Sequence, residues 1–367
     1  MASSFKRIYG LQVIFGLMLV FGWSFAILHY LNLGFSYLEL LFYNVVSFTS
    51  AVVIIILLGE IQAYRSIKFA VFLFIIIFVL LMNLTSSSQL FMISILSGAT
   101  IPFFWIPFNI ILFRLRSEDN VAQFSSIAFF VFPTLSTVIP YISGVVIEEY
   151  GYPTVFGVSI IMLCAMLAYI KKIEEPLTIN VSFAQAVHAA KNLRSIMLVE
   201  GFWQGVNWIV FPLYTYYFIK ESASYGAFLS YVGFAGACAS LLLAKISDRF
   251  KKRHVFVCTT VILTAALTII SGIVSGQYPW VLSRTLVGFA VSLYAPFTLT
   301  VVLDVMDSTR MAMVAREVFL NIGRIIGGVF VLLAYLAFGS LQSTLIVSGI
   351  IFLLYPVIVS KKGLCTS

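Results

Sequence analysis

Residues 68–84 read KFAVFLFIIIFVLLMNL, with no charged or strongly polar side chain between Lys68 and Asn83. A hydrocarbon core of about 30 Å takes roughly 20 helical residues to cross. Backbone groups cannot stay unpaired in hydrocarbon, so a continuous apolar run of this kind must be helical, whereas barrel strands would be shorter and would alternate. Eleven more blocks flank it, near residues 10–31, 36–59, 89–113, 121–147, 152–170, 195–219, 224–246, 254–275, 278–304, 311–337 and 341–360. The connections between them leave little of the chain for water. Composition agrees: 61% hydrophobic residues, 10% charged residues and a mean hydropathy of +1.07 lie far outside the range of soluble globular chains. No soluble enzymatic domain fits between the blocks. The expected fold class is therefore all-α integral membrane, a twelve-span protein of the cell membrane.

Lys and Arg are retained in cytoplasmic connections, so their distribution assigns the sides. With both termini cytoplasmic, the inner group holds Lys6, Arg7, Arg65, Lys68, Arg114, Arg116, Lys171, Lys172, Lys191, Arg194, Lys245, Arg249, Lys251, Lys252, Arg253, Arg310, Arg316, Lys361 and Lys362. Lys220 alone falls in an outer connection, and Arg284 and Arg324, the last two of the 22 cations, lie within spans. The net charge of +8 and pI near 9.3 thus follow from topology. A nucleic-acid partner, which would want a basic face in polar surroundings, is not expected.

Several features carry no function. The segment from Lys6 through Leu19 resembles a signal peptide, but no small-residue cleavage site follows, so it is read as the retained first helix. Cys164, Cys238, Cys258 and Cys365 stand singly, without metal or disulfide spacing, and neither a metal nor a cofactor is expected. Asn83-Leu84-Thr85 matches a glycosylation acceptor, a triplet common by chance.

The longest interval between spans, residues 171–194, separates six spans from six. It reads as a surface linker with one short amphipathic helix in Ser182–Leu193, whose Phe183, Val187 and Ala190 would face lipid. Residues 1–170 and 195–367 are then two bundles. At an offset near 190, Ser94-x-x-x-Gly98 aligns with Arg284-x-x-x-Gly288, and Asn120-Val121-Ala122 with Arg310-Met311-Ala312, which makes internal duplication the economical explanation. Two pseudo-symmetric six-helix bundles would face each other across a central cavity.

These residues carry a family resemblance. Ala244-Lys245-Ile246-Ser247-Asp248-Arg249-Phe250-Lys251-Lys252-Arg253 is similar to the Gly-x-x-x-Asp-Arg-x-Gly-Arg-Arg signature of the major facilitator superfamily of secondary transporters, with Ala244 and Lys251 in place of two glycines. The resemblance implies alternating access between the bundles and a monomer. It also implies a conformational lock: Asp248 and Arg249 at a helix end, and Lys252 or Arg253 against Asp304 on the tenth span. The first half departs from the pattern. Gly59-Glu60-Ile61-Gln62-Ala63 puts Ala63 where Asp is expected, and Arg114 replaces the acid, so Glu60 with Arg114 is expected as the same pair with reversed polarity. Arg284 with Gly288 resembles the family's Arg-x-x-x-Gly element, in which the arginine is tied to proton coupling; Ser94 replaces that base in the first half. Arg284 is near enough to the outer surface that snorkelling there is the alternative.

Ionisable groups inside spans are expensive and so are functional candidates. On the seventh span Glu200, Gln204, Asn207, Phe211 and Tyr214 follow at spacings of four, three, four and three, a polar-aromatic stripe flanked by Trp203, Trp208 and Thr215. The reading is a cavity-lining face, since purely structural stripes are richer in small residues. The eleventh span offers Glu317, Asn321 and Arg324 beside Gly323, Gly327 and Gly328. Arg324 lies near the midplane and must meet an acid, carbonyls, water or a ligand anion. Glu39 leads a face through Tyr43, Ser47 and Ser50, and Trp23 and Trp105, with Pro102 and Pro107, point to kinked aromatic walls.

No nucleotide-binding loop of the Gly-x-x-x-x-Gly-Lys-Ser/Thr type is present, so the driving force is expected from an ion gradient or the solute's own. A carboxylate in a low-dielectric cleft can take a proton from one side and release it to the other. Glu200 is the expected carrier, Arg324 its competitor, and Glu39 the reserve. An aromatic, amide-rich cleft with few charges suits a neutral, weakly amphipathic or monoanionic organic solute, which points to proton-coupled efflux. Uptake of a sugar or similar metabolite, with Gln204, Asn207 and Trp208 holding a polyol, is the alternative, and a non-transporting receptor or scaffold is a second. An intramembrane enzyme would need a dense catalytic set that the sequence lacks.

Overall fold

The structure, a computed structural model, describes residues 2–114, 130–246, 253–306 and 308–362. The chain is almost entirely helical: α1 (Ala2–Phe21), a 3-10 turn (Trp23–Phe25), α2 (Ala26–Asn32), α3 (Tyr37–Leu57), α4 (Ala63–Met82), α5 (Ser87–Arg114), α6 (Ile139–Tyr150) and α7 (Tyr152–Ile173) form the first half. A short α8 (Phe183–Ala189) precedes α9 (Arg194–Phe218), α10 (Ser222–Ile246), α11 (Arg253–Ser271), α12 (Gln277–Val305), α13 (Thr309–Phe338), α14 (Ser343–Phe352) and α15 (Leu354–Lys361). Ten helices among the described residues are long and apolar enough to cross a membrane, counting α1–α2 and α14–α15 as one each. The expected ninth span is a shorter apolar helix, Val255–Ser271, and part of the fifth lies outside the described residues.

Local chemistry sets the ends. α3 opens on a capping box, in which the Ser36 backbone donates to Glu39 Oε2 at 2.9 Å while the Ser36 hydroxyl accepts from the Glu39 backbone. α13 starts at Ser308, whose hydroxyl accepts from Met311, and stops at Gly339, whose φ of 65° only glycine adopts freely.

The most extensive helix pair is α9 with α13. A Cβ added at Gly201 would lie 2.3 Å from the Leu320 carbonyl oxygen and one at Gly323 2.5 Å from that of Leu198, so the two backbones touch only because side chains are missing there. Across the halves, α3 packs on α13 and α6 on α10. Gly144 meets the Ser222 carbonyl, Gly226 that of Pro140 and Gly233 that of Ser136. On the side away from the termini this contact is continued by an apolar seal of Phe21, Phe25, Leu28, Ile147, Val155, Ile219, Tyr225 and Phe228. Tyr152 Oη meets Ser222 Oγ at 3.2 Å, and the Ala223 backbone donates to Glu148 at 3.1 Å. That side is closed.

Three expectations about the termini side change. Besides its short helix the linker carries a strand: β2 (Thr178–Asn180) pairs antiparallel with β1 (Glu60–Gln62), a small sheet that the apolar pattern could not announce. The helix in the linker is α8, and its apolar face covers protein instead of lipid; Ala186 and Ala190 are fully buried, Phe183 and Val187 pack on the core, and α13 lies against it. Arg194 fixes it by donating from Nε to the Val187 carbonyl at 3.0 Å. Finally, Glu60 is exposed in β1 and Arg114 is exposed at the end of α5, and no ion pair joins them among the described residues. The strand directs Ile61 inward and its neighbours to solvent; the ion pair there is Lys68 with Glu174, at 2.5 Å. Asp248, Arg249 and Lys252 lie outside the described residues, as does the side chain of Arg253, and so does their expected meeting with Asp304.

Candidate functional site

A cavity of about 350 Å³ opens among α1, α2, α3, α4, α5 and α9. Its walls are rings: Phe15, Trp23, Phe48, Phe74, Trp105 and Trp208. Trp23 meets Phe74 edge-on at 5.7 Å, and Trp105 meets Phe15 in the same way at 5.8 Å. Among the described residues its polar groups are Tyr43, Asn44, Ser47, Ser97 and Thr100, and no charged side chain lines it. Most of these hydroxyls are already engaged. Tyr43 Oη donates to Ser97 Oγ at 3.2 Å, Ser47 and Ser97 share a hydrogen bond at 3.1 Å, and Thr100 donates to the Ser97 carbonyl at 2.7 Å. This seam exists because Gly98 lets α5 press against the α3 backbone at Ser47. Ser94, which aligns with Arg284, ties the same two helices by donating to the Tyr43 carbonyl at 2.8 Å. In the second half Gly288 makes the matching approach, from α12 to Val232 of α10.

Behind the cavity, the second half contains a buried polar chain. Arg316 donates to Glu200 Oε1 at 3.1 Å, an ion pair whose acid is 2% exposed. Gln204 Nε2 and Thr298 Oγ1 donate to the same oxygen at 3.0 and 3.2 Å. Gln204 Oε1 accepts from Arg324 Nε and Nη2 at 3.0 and 2.6 Å, and Arg324 Nη1 donates to Asn321 Oδ1 at 3.0 Å. Asn321 in turn donates to Glu317 Oε2 at 3.4 Å. The order Arg316, Glu200, Gln204, Arg324, Asn321, Glu317 alternates donors and acceptors across the α9–α13 contact. All three of these bonds fall on one carboxylate oxygen of Glu200.

Trp208 joins the two regions. It is the second half's contribution to the cavity wall, and the Arg324 guanidinium sits over its ring at 4.3 Å. A cation on the face of an indole that also touches the cavity makes that ring a shared wall.

Several expected residues lie elsewhere. Glu200, Gln204 and Arg324 do not line the cavity as expected but form the closed chain behind it. Trp203 is 3% exposed, stacked on Phe352 at 4.9 Å and donating to Thr268 at 3.1 Å, so it is core. Asn207 faces Arg284, and Tyr214 bonds Gln342 at 2.7 Å. Asn321 is fully buried in the chain described above. Glu39 is used in its capping box and by Ser87, which donates to Oε1 at 2.6 Å, so it closes a helix end and does not join the Tyr43 and Ser47 face. Trp23, Tyr43 and Trp105 do line the cavity. Arg284 does not snorkel outward; it is 6% exposed and donates from Nη1 to Asn207 Oδ1 at 2.9 Å. The residue missed is Arg316, read from sequence as a cytoplasmic cation. It lies eight residues before Arg324 on one helix face, and that spacing was the signal available.

Residues 195–361 match the model of the Major Facilitator Superfamily. No curated protein sequence matches the chain. Among solved structures, the E. coli fucose:proton symporter FucP superposes with a TM-score of 0.69 at 11% identity, covering 98% of each chain. The human organic anion transporter MFSD10 superposes with a TM-score of 0.70 at 12% identity, covering 96% of this chain and 99% of that one. The match to the family model falls on the second half of the chain, and the whole of it carries the fold of two six-helix bundles. Its ten described helices long and apolar enough to cross a membrane fit a multi-pass membrane protein.

Proposed function

We propose that this protein moves a small organic solute by alternating access, coupled to protons and in the direction of efflux across the cell membrane. The carrying observation is the wall at Trp208, with an aromatic cavity free of charged lining among the described residues and the Arg324 guanidinium of the Glu200–Arg316 chain against the same ring. The solute occupies the cavity, and its lack of charged lining suits a neutral or singly charged, weakly amphipathic body better than a polyanion. Glu200 carries the proton. Protonation cancels its charge and frees Arg316, and a buried cation that has lost its acid favours the arrangement in which it meets water. Residues 1–170 and 195–367 rock as two bodies around this site, linked by residues 171–194. The excess of Lys and Arg in the connections beside the termini supports a cytoplasmic position for both. The closed far side is then the outer one. The protein works as a monomer among membrane lipids.

Direction is tested with vesicles of opposite orientation, using the compound that most raises the unfolding temperature in a metabolite and drug panel. Efflux predicts that everted vesicles, acid inside, accumulate it and that a protonophore abolishes the accumulation. Accumulation confined to right-side-out vesicles would make this an uptake system, and binding without flux in either orientation would make it a receptor.

A further inference from the structure

Among the described residues, three arginines of the second half, Arg284, Arg316 and Arg324, lie inside spans, while the polar chain holds two carboxylates, Glu200 and Glu317. Arg316 holds Glu200, and Arg324 reaches Glu317 through Asn321. Arg284 has no acid. Among the described residues its Nη1 is hydrogen bonded to the neutral Asn207 amide, and its Nε is buried without a partner. The guanidinium lies against two rings, Phe211 at 4.6 Å and Trp280 at 5.5 Å, and its Nε–Nη2 edge is left. That edge donates two parallel N–H groups at the spacing of a carboxylate's two oxygens. An unpaired guanidinium this deep in a span is costly, and structures keep such a group where it receives an anion. Phe211 also packs against the apolar seal between the halves, so parting of that seal uncovers the edge.

We propose that Arg284 is a docking group for a carboxylate and that the transported solute is an organic monocarboxylate. This rests on the transporter reading above. Asn207, which positions the guanidinium, precedes Trp208 of the cavity wall on α9. A halide, being spherical, uses the parallel pair poorly, and an amide offers one acceptor in place of two charged ones.

The test is equilibrium binding to the purified full chain, read as thermal unfolding at constant ionic strength. Formate, acetate and benzoate are each compared with formamide, acetamide and benzamide, with sodium chloride as the background salt. The expected result is a saturable rise in unfolding temperature for at least one acid and none for its amide. Arg284→Lys, which keeps the charge and loses the fork, weakens the apparent affinity by about tenfold or more. Asn207→Asp keeps the arginine and gives it an internal carboxylate, so it removes the acid effect in a protein that is folded at least as well. Equal effects of acid and amide in all three pairs, a rise with chloride as large as with the acids, or an acid effect unchanged in both variants would each overturn the proposal. Proton-driven flux plays no part in this measurement, so its outcome is independent of the coupling role given to Glu200.

Discussion

Glu200→Gln is expected to leave solute exchange intact and to abolish accumulation. A proton gradient of one pH unit supplies about 1.4 kcal/mol per proton, which sustains a tenfold solute ratio at one proton per solute. Glutamine keeps an oxygen for Gln204, Thr298 and Arg316 but cannot take up or release a proton. The carrier therefore behaves as one that is permanently protonated, and in reconstituted vesicles the ratio falls to one. Counterflow of labelled solute, which needs only the empty and loaded carrier to reorient, persists. A variant that still accumulates with an unchanged response to pH would move the coupling role away from Glu200.

Arg316→Ala is expected to be the most destabilising single change in the polar chain. The alanine leaves Glu200 charged and buried with only neutral donors, a situation that costs about 3–5 kcal/mol when one partner of a buried pair is removed. Removing both charges, as Glu200→Gln with Arg316→Gln, leaves no isolated charge and recovers most of that loss. Thermal unfolding of the two single variants and the double variant measures the coupling between them. A single Arg316→Ala variant as stable as the natural protein, or a double variant no better than the single one, would contradict the ion pair as described.

The membrane architecture was legible because each crossing must be apolar over its whole length, and that demand leaves its mark in any window of about 20 residues. The ends moved by a few residues where capping chemistry decided them, as at Ser308 and Gly339. What stayed hidden depends on which face of a helix meets which neighbour. Trp203 and Trp208 flank the same stripe, yet five residues turn one ring into the helical core and the other into the cavity. Arg316 was grouped with loop cations because it stands seven residues from the first residue of α13; at 1.5 Å per residue that is about 10 Å inside the helix. The sheet of β1 and β2 joins segments more than 100 residues apart, and three-residue strands have no period to read. In the first half, the seam of Tyr43, Ser47 and Ser97 was visible only as a face of α3, because its other side is supplied by α5.

Proton movement coupled to solute movement is the direct test of the carrier mechanism. Vesicles loaded with a pH-sensitive dye and held without any imposed pH gradient are given solute on one side. The account predicts a solute-driven pH change with the natural protein and none with Glu200→Gln, while labelled solute crosses in both. A pH trace that is flat for both proteins, or equal in both, with solute crossing, would contradict it.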